Sequence, residues 1–131
     1  MSEAELARGV ILAHGSMADG LVSAVRRIAG GAAEALIAVS NDARSPAELK
    51  AMLDDLARQG PLVVFADLQS GSCGMAALSS CRQGPGCAVV CGVNLPILLD
   101  FVFHRDLPLD ELLPRLVAKG RQAILPASGP G

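Results

Sequence analysis

Short aliphatic runs alternate along this chain with stretches whose apolar residues recur at helical spacing. The runs are Gly9-Val10-Ile11-Leu12-Ala13, Ala35-Leu36-Ile37-Ala38-Val39, Leu62-Val63-Val64-Phe65-Ala66 and Cys87-Ala88-Val89-Val90-Cys91. Each is continuous rather than alternating, the pattern of a strand buried on both faces. Leu21, Val22, Val25, Ile28 and Ala29 form one helical stripe, closed by Gly30-Gly31. Ser45, Pro46 and Glu48 predict a capping box opening a helix whose core face is Leu49, Met52, Leu53 and Leu56, with Gly60 after it. A third helix is expected from near Ser72 towards Cys81. A fourth follows Asn94-Leu95-Pro96 and contains Ile97 to Phe103. The last carries Leu109, Leu112, Leu113, Leu116 and Val117 and is closed by Gly120, with Pro114 either kinking it or lying in its first turn. Gln122 to Leu125 could add a short edge strand, and the tail beyond should fray.

Strand, helix, strand, helix predicts an α/β, doubly wound, three-layer sandwich around a mainly parallel four-stranded sheet. The expected strand order is 2-1-3-4, with a C-terminal edge strand as an optional addition. In such sheets ligands bind at the carboxyl ends of the strands, where the order reverses. Here that point lies between strands 1 and 3. Strand 1 ends in Ala13-His14-Gly15-Ser16 and strand 3 in Asp67-Leu68-Gln69-Ser70-Gly71-Ser72. His14 and Asp67 should therefore face each other. A neutral imidazole is a competent nucleophile near pH 7. A carboxylate on one ring nitrogen sets the tautomer and supports positive charge, leaving the other nitrogen to attack. Ser70-Gly71-Ser72 opens a helix whose free N–H groups suit a phosphate. Histidine, carboxylate and anion cradle together suggest phosphoryl transfer to histidine. Taken singly, a histidine after a strand is commonly a loop or capping residue, and an aspartate there a turn cap; it is the joint placement that points to chemistry. His104, beside Arg105 at the end of an apolar helix, reads as a C-terminal surface charge.

Composition narrows the alternatives. The 131 residues are 51% hydrophobic and 18% charged, which suits one domain with a real core. Trp and Tyr are absent and Phe numbers three, so base-stacking platforms are not expected. Lys plus Arg is 11 and Asp plus Glu is 13, a net charge of −2 with no basic run, so no nucleic-acid partner is expected. The start is acidic, and no apolar stretch approaches the roughly 18 residues of a membrane span, so the expected location is cytoplasmic without membrane insertion. Cys73, Cys81, Cys87 and Cys91 form no CxxC, so no metal site is expected, and all four read as reduced structural thiols, with Cys87 and Cys91 on one buried face. Ser70-Gly71-Ser72-Cys73-Gly74 matches GxSxG loosely, which leaves open a Cys73 nucleophile with His14 as base. There is no P-loop motif, and no GxGxxG follows strand 1.

Four motifs carry a resemblance: Val10-Ile11-Leu12-Ala13-His14-Gly15 with Asp19-Gly20-Leu21; Ser45-Pro46-Ala47-Glu48-Leu49; Asp67-Leu68-Gln69-Ser70-Gly71-Ser72; and Gly92-Val93-Asn94-Leu95-Pro96. In order and spacing they resemble the enzyme IIA component of the mannose/sorbose class of the bacterial phosphoenolpyruvate-dependent sugar phosphotransferase system. The likeness extends over residues 8 to about 125, so residues 1–131 would be a single IIA domain. The resemblance implies phosphorylation of His14 with Asp67 as its partner, and phosphate held at Gly15, Gly71 and Ser72. It implies a phosphocarrier that takes its phosphoryl group from HPr and passes it to a IIB partner, as a homodimer and with no cofactor. The alternative is a regulatory protein whose phosphorylation at His14 controls a partner. The family pattern usually reads Asp-Leu-x-Gly-Gly-Ser-Pro-x-Asn; here Ser70 replaces the first Gly, Cys73 the Pro and Met75 the Asn. The helix Ile97 to Phe103 is apolar nearly all round and needs cover on more than one side. A second subunit could supply it, and so could the last helix folding back.

Overall fold

The structure, a computed structural model, describes residues 6–42, 44–68, 71–81 and 86–129, with the backbone alone at Ser72 and Cys73. The elements run β1 (Arg8–Ala13), α1 (Met17–Ala29), a 3₁₀ segment (Gly30–Ala35), β2 (Leu36–Ser40), α2 (Pro46–Ala57), β3 (Leu62–Ala66), α3 (Ser72–Cys81), β4 (Cys87–Cys91), α4 (Leu95–Val102) and α5 (Leu109–Gln122). All strand pairs are parallel and the order is β2-β1-β3-β4, as predicted.

The continuous aliphatic runs are explained by two-sided burial. Along β1, Val10 and Leu12 point into one core with Leu49 and Leu53 of α2 and Ala76 and Ala77 of α3. Ile11 and Ala13 point into the other, with Val22 and Val25 of α1, Leu98 and Phe101 of α4, and Leu112 and Leu116 of α5. β3 divides in the same way, Val64 to the first core and Phe65 to the second. Strands β1 and β3 are thus the closed centre of a three-layer sandwich. The predicted capping box is present, with the Ser45 hydroxyl accepting from the Glu48 N–H and the Glu48 carboxylate accepting from the Ser45 N–H.

The Gly92-Val93-Asn94-Leu95-Pro96 motif is a structural joint at the end of β4. Gly92 takes a positive φ of 81°, and the Gly92 and Val93 N–H groups both donate to the Ala66 carbonyl, at 2.9 and 3.1 Å. Asn94 caps α4 by accepting from the Ile97 N–H at 3.1 Å, and its own amide donates to the Gly120 carbonyl of α5 at 3.0 Å. One side chain therefore sets the start of α4 and the approach of α5.

Several expectations change. Gly120 does not end α5; it lies buried inside the helix against Ile97, where a Cβ would collide. The helix runs on through Gln122, with Lys119 and Arg121 suiting its negative end, so the edge strand at Gln122 to Leu125 is not formed. Pro114 lies inside α5 beyond its first turn. Most of the apolar stretch Ile97 to Phe103 is covered within the chain, the buried residues of α4 sharing one core with α1 and α5, while Phe103 stays 63% exposed. Finally, Cys81 and Cys87 are not free thiols. The end of α3 and the start of β4 bring their Cα atoms to 5.0 Å and a disulfide joins them. Cys87 and Cys91 are only half-buried, because β4 lies at the sheet edge.

Gly9 marks the tightest point of the core. A Cβ there would stand 2.8 Å from Leu36 Cδ2 and 2.9 Å from Phe101 Cε2. Phe101 meets Phe65 edge to face at 5.1 Å, so its ring has little freedom to retreat. Gly9→Ala is expected to cost about 1–3 kcal/mol by overpacking, read as a lower urea midpoint at unchanged m-value.

Candidate functional site

β1 and β3 are hydrogen-bonded neighbours, while the helices that follow them pack on opposite faces of the sheet. Their carboxyl ends therefore open a crevice. His14 is the first residue past β1 and Asp67 the first past β3. The Asp67 N–H donates to the Leu12 carbonyl at 3.3 Å, which continues the ladder one step and fixes the relative height of the two side chains.

The two predicted residues meet closely. His14 Nδ1 lies 2.7 Å from Asp67 Oδ2, and the same oxygen accepts the His14 backbone N–H at 3.0 Å. The other oxygen, Oδ1, accepts the Leu68 N–H at 2.9 Å. The His14 side chain remains 48% exposed, while that of Asp67 is 9% exposed. A neutral ring that donates Nδ1–H to the carboxylate carries its lone pair on Nε2, with half the ring open to solvent. The backbone contacts from His14 and Leu68 were not foreseen from sequence, since they depend on loop conformation rather than residue type.

Burial by itself pushes the Asp67 carboxyl up. The hydrogen bonds from the His14 ring and backbone, the charge of His14 and the Leu68 N–H more than offset this and hold it below the ordinary carboxylate value. The carboxylate thus remains ionised beneath the ring.

The glycines shape the space above. Gly15 has φ +58° and Gly71 φ +96°, conformations that suit glycine. A Cβ on Gly71 would come within 3.9 Å of His14 Cε1, so the loop after β3 passes close to the ring. Ser72 begins α3, and Met17 begins α1 just after His14-Gly15-Ser16. Two helices therefore open beside the histidine, each presenting the positive end of its dipole. Ser70 and the side chains of Ser72 and Cys73 lie outside what is described, and with them the loose GxSxG match. At Cys91, burial pushes the thiol up, away from the reactive thiolate.

His104 belongs elsewhere. Its Nδ1 lies 2.8 Å from the Asp100 carbonyl, beside the ion pair in which Arg115 holds both Asp100 oxygens at 3.0 Å. The Arg105 carbonyl next to it accepts from the Ala7 N–H, just before β1, so His104 sits at the opposite end of the sheet from His14. Among the described residues, no group of three or more His, Cys, Asp or Glu is placed to hold a metal.

Fold and site together define a parallel α/β protein with a carboxylate-supported histidine at the switch point of its sheet. The profile of the EIIA-man family, described as PTS system fructose IIA component, matches residues 9–115. The chain belongs to this family, that of a sugar phosphotransferase system component. Its fold is shared with the mannose/sorbose specific IIA subunit of the phosphotransferase system from Enterococcus faecalis. That likeness has a TM-score of 0.83 and 24% identity over 96% of this chain and 98% of that one. Similar too is the phosphotransferase system component EIIA from Streptococcus agalactiae, with a TM-score of 0.81 and 22% identity over 92% and 97% of the two chains. A sigma-54 interaction domain protein from Enterococcus faecalis is more distant, at 0.68 and 13% over 92% and 94%. No curated protein matches the chain. Among the described residues, no helix is long and apolar enough to cross a membrane.

Because the folded-state pKa of Asp67 is depressed, its contribution to stability is fully present above the ordinary value of about 3.8 and is lost as pH falls through the lower folded value. A carboxyl-carbon NMR titration should find the Asp67 midpoint below 3.8. In His14→Ala, which removes the ring's hydrogen bond and charge, that midpoint should move up.

Proposed function

We propose that this chain is a cytoplasmic phosphocarrier, a single IIA domain that receives a phosphoryl group from HPr on His14 and hands it to a IIB-type partner. The observation that carries this reading is the ring of His14, held at Nδ1 by Asp67 at 2.7 Å and half open on its other side. The Nε2 lone pair attacks phosphorus in line with the phosphorus–nitrogen bond of the donor's phosphohistidine. That bond breaks as the new one forms, through a loose transition state with charge spread over the phosphoryl oxygens. The donor ring, protonated on its other nitrogen, leaves as neutral imidazole. His14 keeps its Nδ1 proton and takes over the positive charge, which Asp67 stabilises. No proton is gained or lost. Backbone N–H groups at Gly15, Gly71 and Ser72 face the phosphoryl oxygens at the openings of α1 and α3. The second transfer runs the same chemistry in the other direction.

A second reading is regulatory: phosphorylation at His14 signals to a docked partner and no sugar is moved. The fold shared with a sigma-54 interaction domain protein favours keeping it in view. Phosphotransfer from the loaded chain to a IIB-type protein separates the two.

With phosphoenolpyruvate, enzyme I and HPr, intact-mass measurement should show one added phosphoryl group on the wild type and on His104→Ala, and none on His14→Ala. Full labelling of His14→Ala would remove the basis of the mechanism. Asp67→Asn keeps the size and loses the charge, so transfer should slow by on the order of 10²–10⁴ with a melting temperature near that of the wild type.

The chain is further proposed to act as a homodimer. β4 leaves an open sheet edge, and Ile124 and Leu125 after α5 are 73% and 76% exposed. A cleft of about 250 Å³ between that edge and the end of α5 is lined by Cys91, Asn94, Val117 and Ile124 among others. A neighbour's tail could pair there. Sedimentation equilibrium at micromolar concentration should give twice the chain mass, falling to the monomer in an Ile124→Asp, Leu125→Asp variant. A monomer in the wild type would reject this arrangement.

A further inference from the structure

Helix α3 is held to the rest of the protein by little side-chain burial. Its large apolar residues, Met75 and Leu78, point outward at 64% and 37% exposure, and it turns Gly74, Ala76, Ala77 and Ser80 to the core. Two methyl groups, and a Ser80 hydroxyl that donates to the Lys50 carbonyl of α2 at 3.3 Å, stand where the other helices bury leucine or valine. The covalent bond from Cys81 to Cys87 makes up for this. Cys87 belongs to a strand that cannot follow the helix. It pairs with Leu62 of β3, whose N–H donates to the Gly86 carbonyl at 2.9 Å. The site lies at the other end of α3. Ser72 opens the helix, the Met75 N–H donates to the Gly71 carbonyl, and a Cβ on Gly71 would come within 3.9 Å of His14 Cε1.

We propose that the Cys81–Cys87 bond is a redox switch, opened by a dithiol and closed by disulfide exchange, that sets how firmly α3 holds its Gly71–Ser72 end beside His14. The bond joins residues only six positions apart, so it constrains the unfolded chain little, and its effect is local to α3. Both cysteines are half-buried beside the edge strand rather than enclosed, so a thiolate can reach them. In a compartment that keeps thiols reduced, the one proposed above for this chain, such a bond is transient and sensing rather than structural. Opening it is a two-electron exchange. A thiolate of the reductant attacks one sulfur, forms a mixed disulfide and expels the other cysteine as thiolate. The reductant's second thiolate then displaces the first cysteine. Cys81 and Cys87 end as two thiols, having gained two electrons and two protons, and the dithiol ends as a disulfide. α3 is then anchored by its small side chains alone and opens more often. The N–H groups at Gly71 and Ser72 are less often in place when phosphate is passed. That last consequence rests on the phosphocarrier reading above; the loosening of α3 does not.

The test prepares the chain oxidised with glutathione disulfide and reduced with dithiothreitol, each then freed of reagent without air. Alkylation and peptide mapping should find Cys81 and Cys87 modified in the reduced state only. Hydrogen exchange of the α3 amides should be about tenfold faster after reduction, with the amides of β1 and β3 unchanged. Labelling by phospho-HPr should be about tenfold slower. The double variant Cys81→Ser, Cys87→Ser should behave as the reduced chain after both treatments, and Cys91→Ser should switch as the wild type does. Alkylation of Cys81 and Cys87 after the oxidising treatment would overturn the switch. So would α3 exchange that ignores the redox state, or loss of protection in β1 and β3 along with α3, which would make the bond a staple of the whole fold. Faster α3 exchange with unchanged labelling would overturn its hold on the site. Labelling of neither state, with α3 still loosened by reduction, would overturn the phosphocarrier reading and leave the switch standing.

Discussion

A parallel sheet whose two faces must both be kept from water is the constraint on which everything else here depends. β1 and β3 send alternate side chains into two separate cores, so helices have to lie on both sides. Helices α1, α4 and α5 cover one face, and α2 and α3 the other. Since right-handed crossovers cover both faces only if the chain moves both ways across the sheet, the strand order reverses between β1 and β3, and a crevice opens at their carboxyl ends. The packing of aliphatic side chains thus creates a polar site without any polar residue in the core of the central strands.

Within that crevice the two ionisable groups play unequal parts. Asp67 is shielded and receives three hydrogen bonds, two from His14 and one from Leu68. These hold its charge against the cost of burial. His14 is oriented by the same contacts but stays accessible. The arrangement keeps the orienting group fixed and leaves the far ring nitrogen open to solvent. The polar network at the other end of the sheet, Asp100 with Arg115 and His104, has the opposite character. It ties α4 to α5, and its histidine is spent on a helix carbonyl.

The family motifs also separate by the work they do. Gly92-Val93-Asn94-Leu95-Pro96 touches no reacting atom. It closes β4 onto the Ala66 carbonyl, caps α4 and holds α5 through Gly120. It thereby steadies the strand end that carries Asp67. Most of the specificity of the resemblance lies in this joint, while the proposed chemistry falls to the shorter and less distinctive His14 and Asp67 segments.

The strand positions, the capped helix at Pro46, the strand order and the meeting of His14 with Asp67 are legible in the residues alone. These follow from local periodicity, capping chemistry and the order of elements, all of which are readable one segment at a time. How far α5 runs is not legible there, because Gly120 serves close contact with Ile97, and a contact between distant segments leaves no local mark. The same holds for the cover over α4, which the pattern showed to be needed without saying which surface provides it. The joining of Cys81 to Cys87 depends on where the chain returns after α3. The hydrogen bonds to Asp67 from the His14 and Leu68 N–H groups depend on loop dihedrals. Backbone N–H groups are common to nearly every residue, so no sequence pattern marks the ones that the fold aims at a carboxylate.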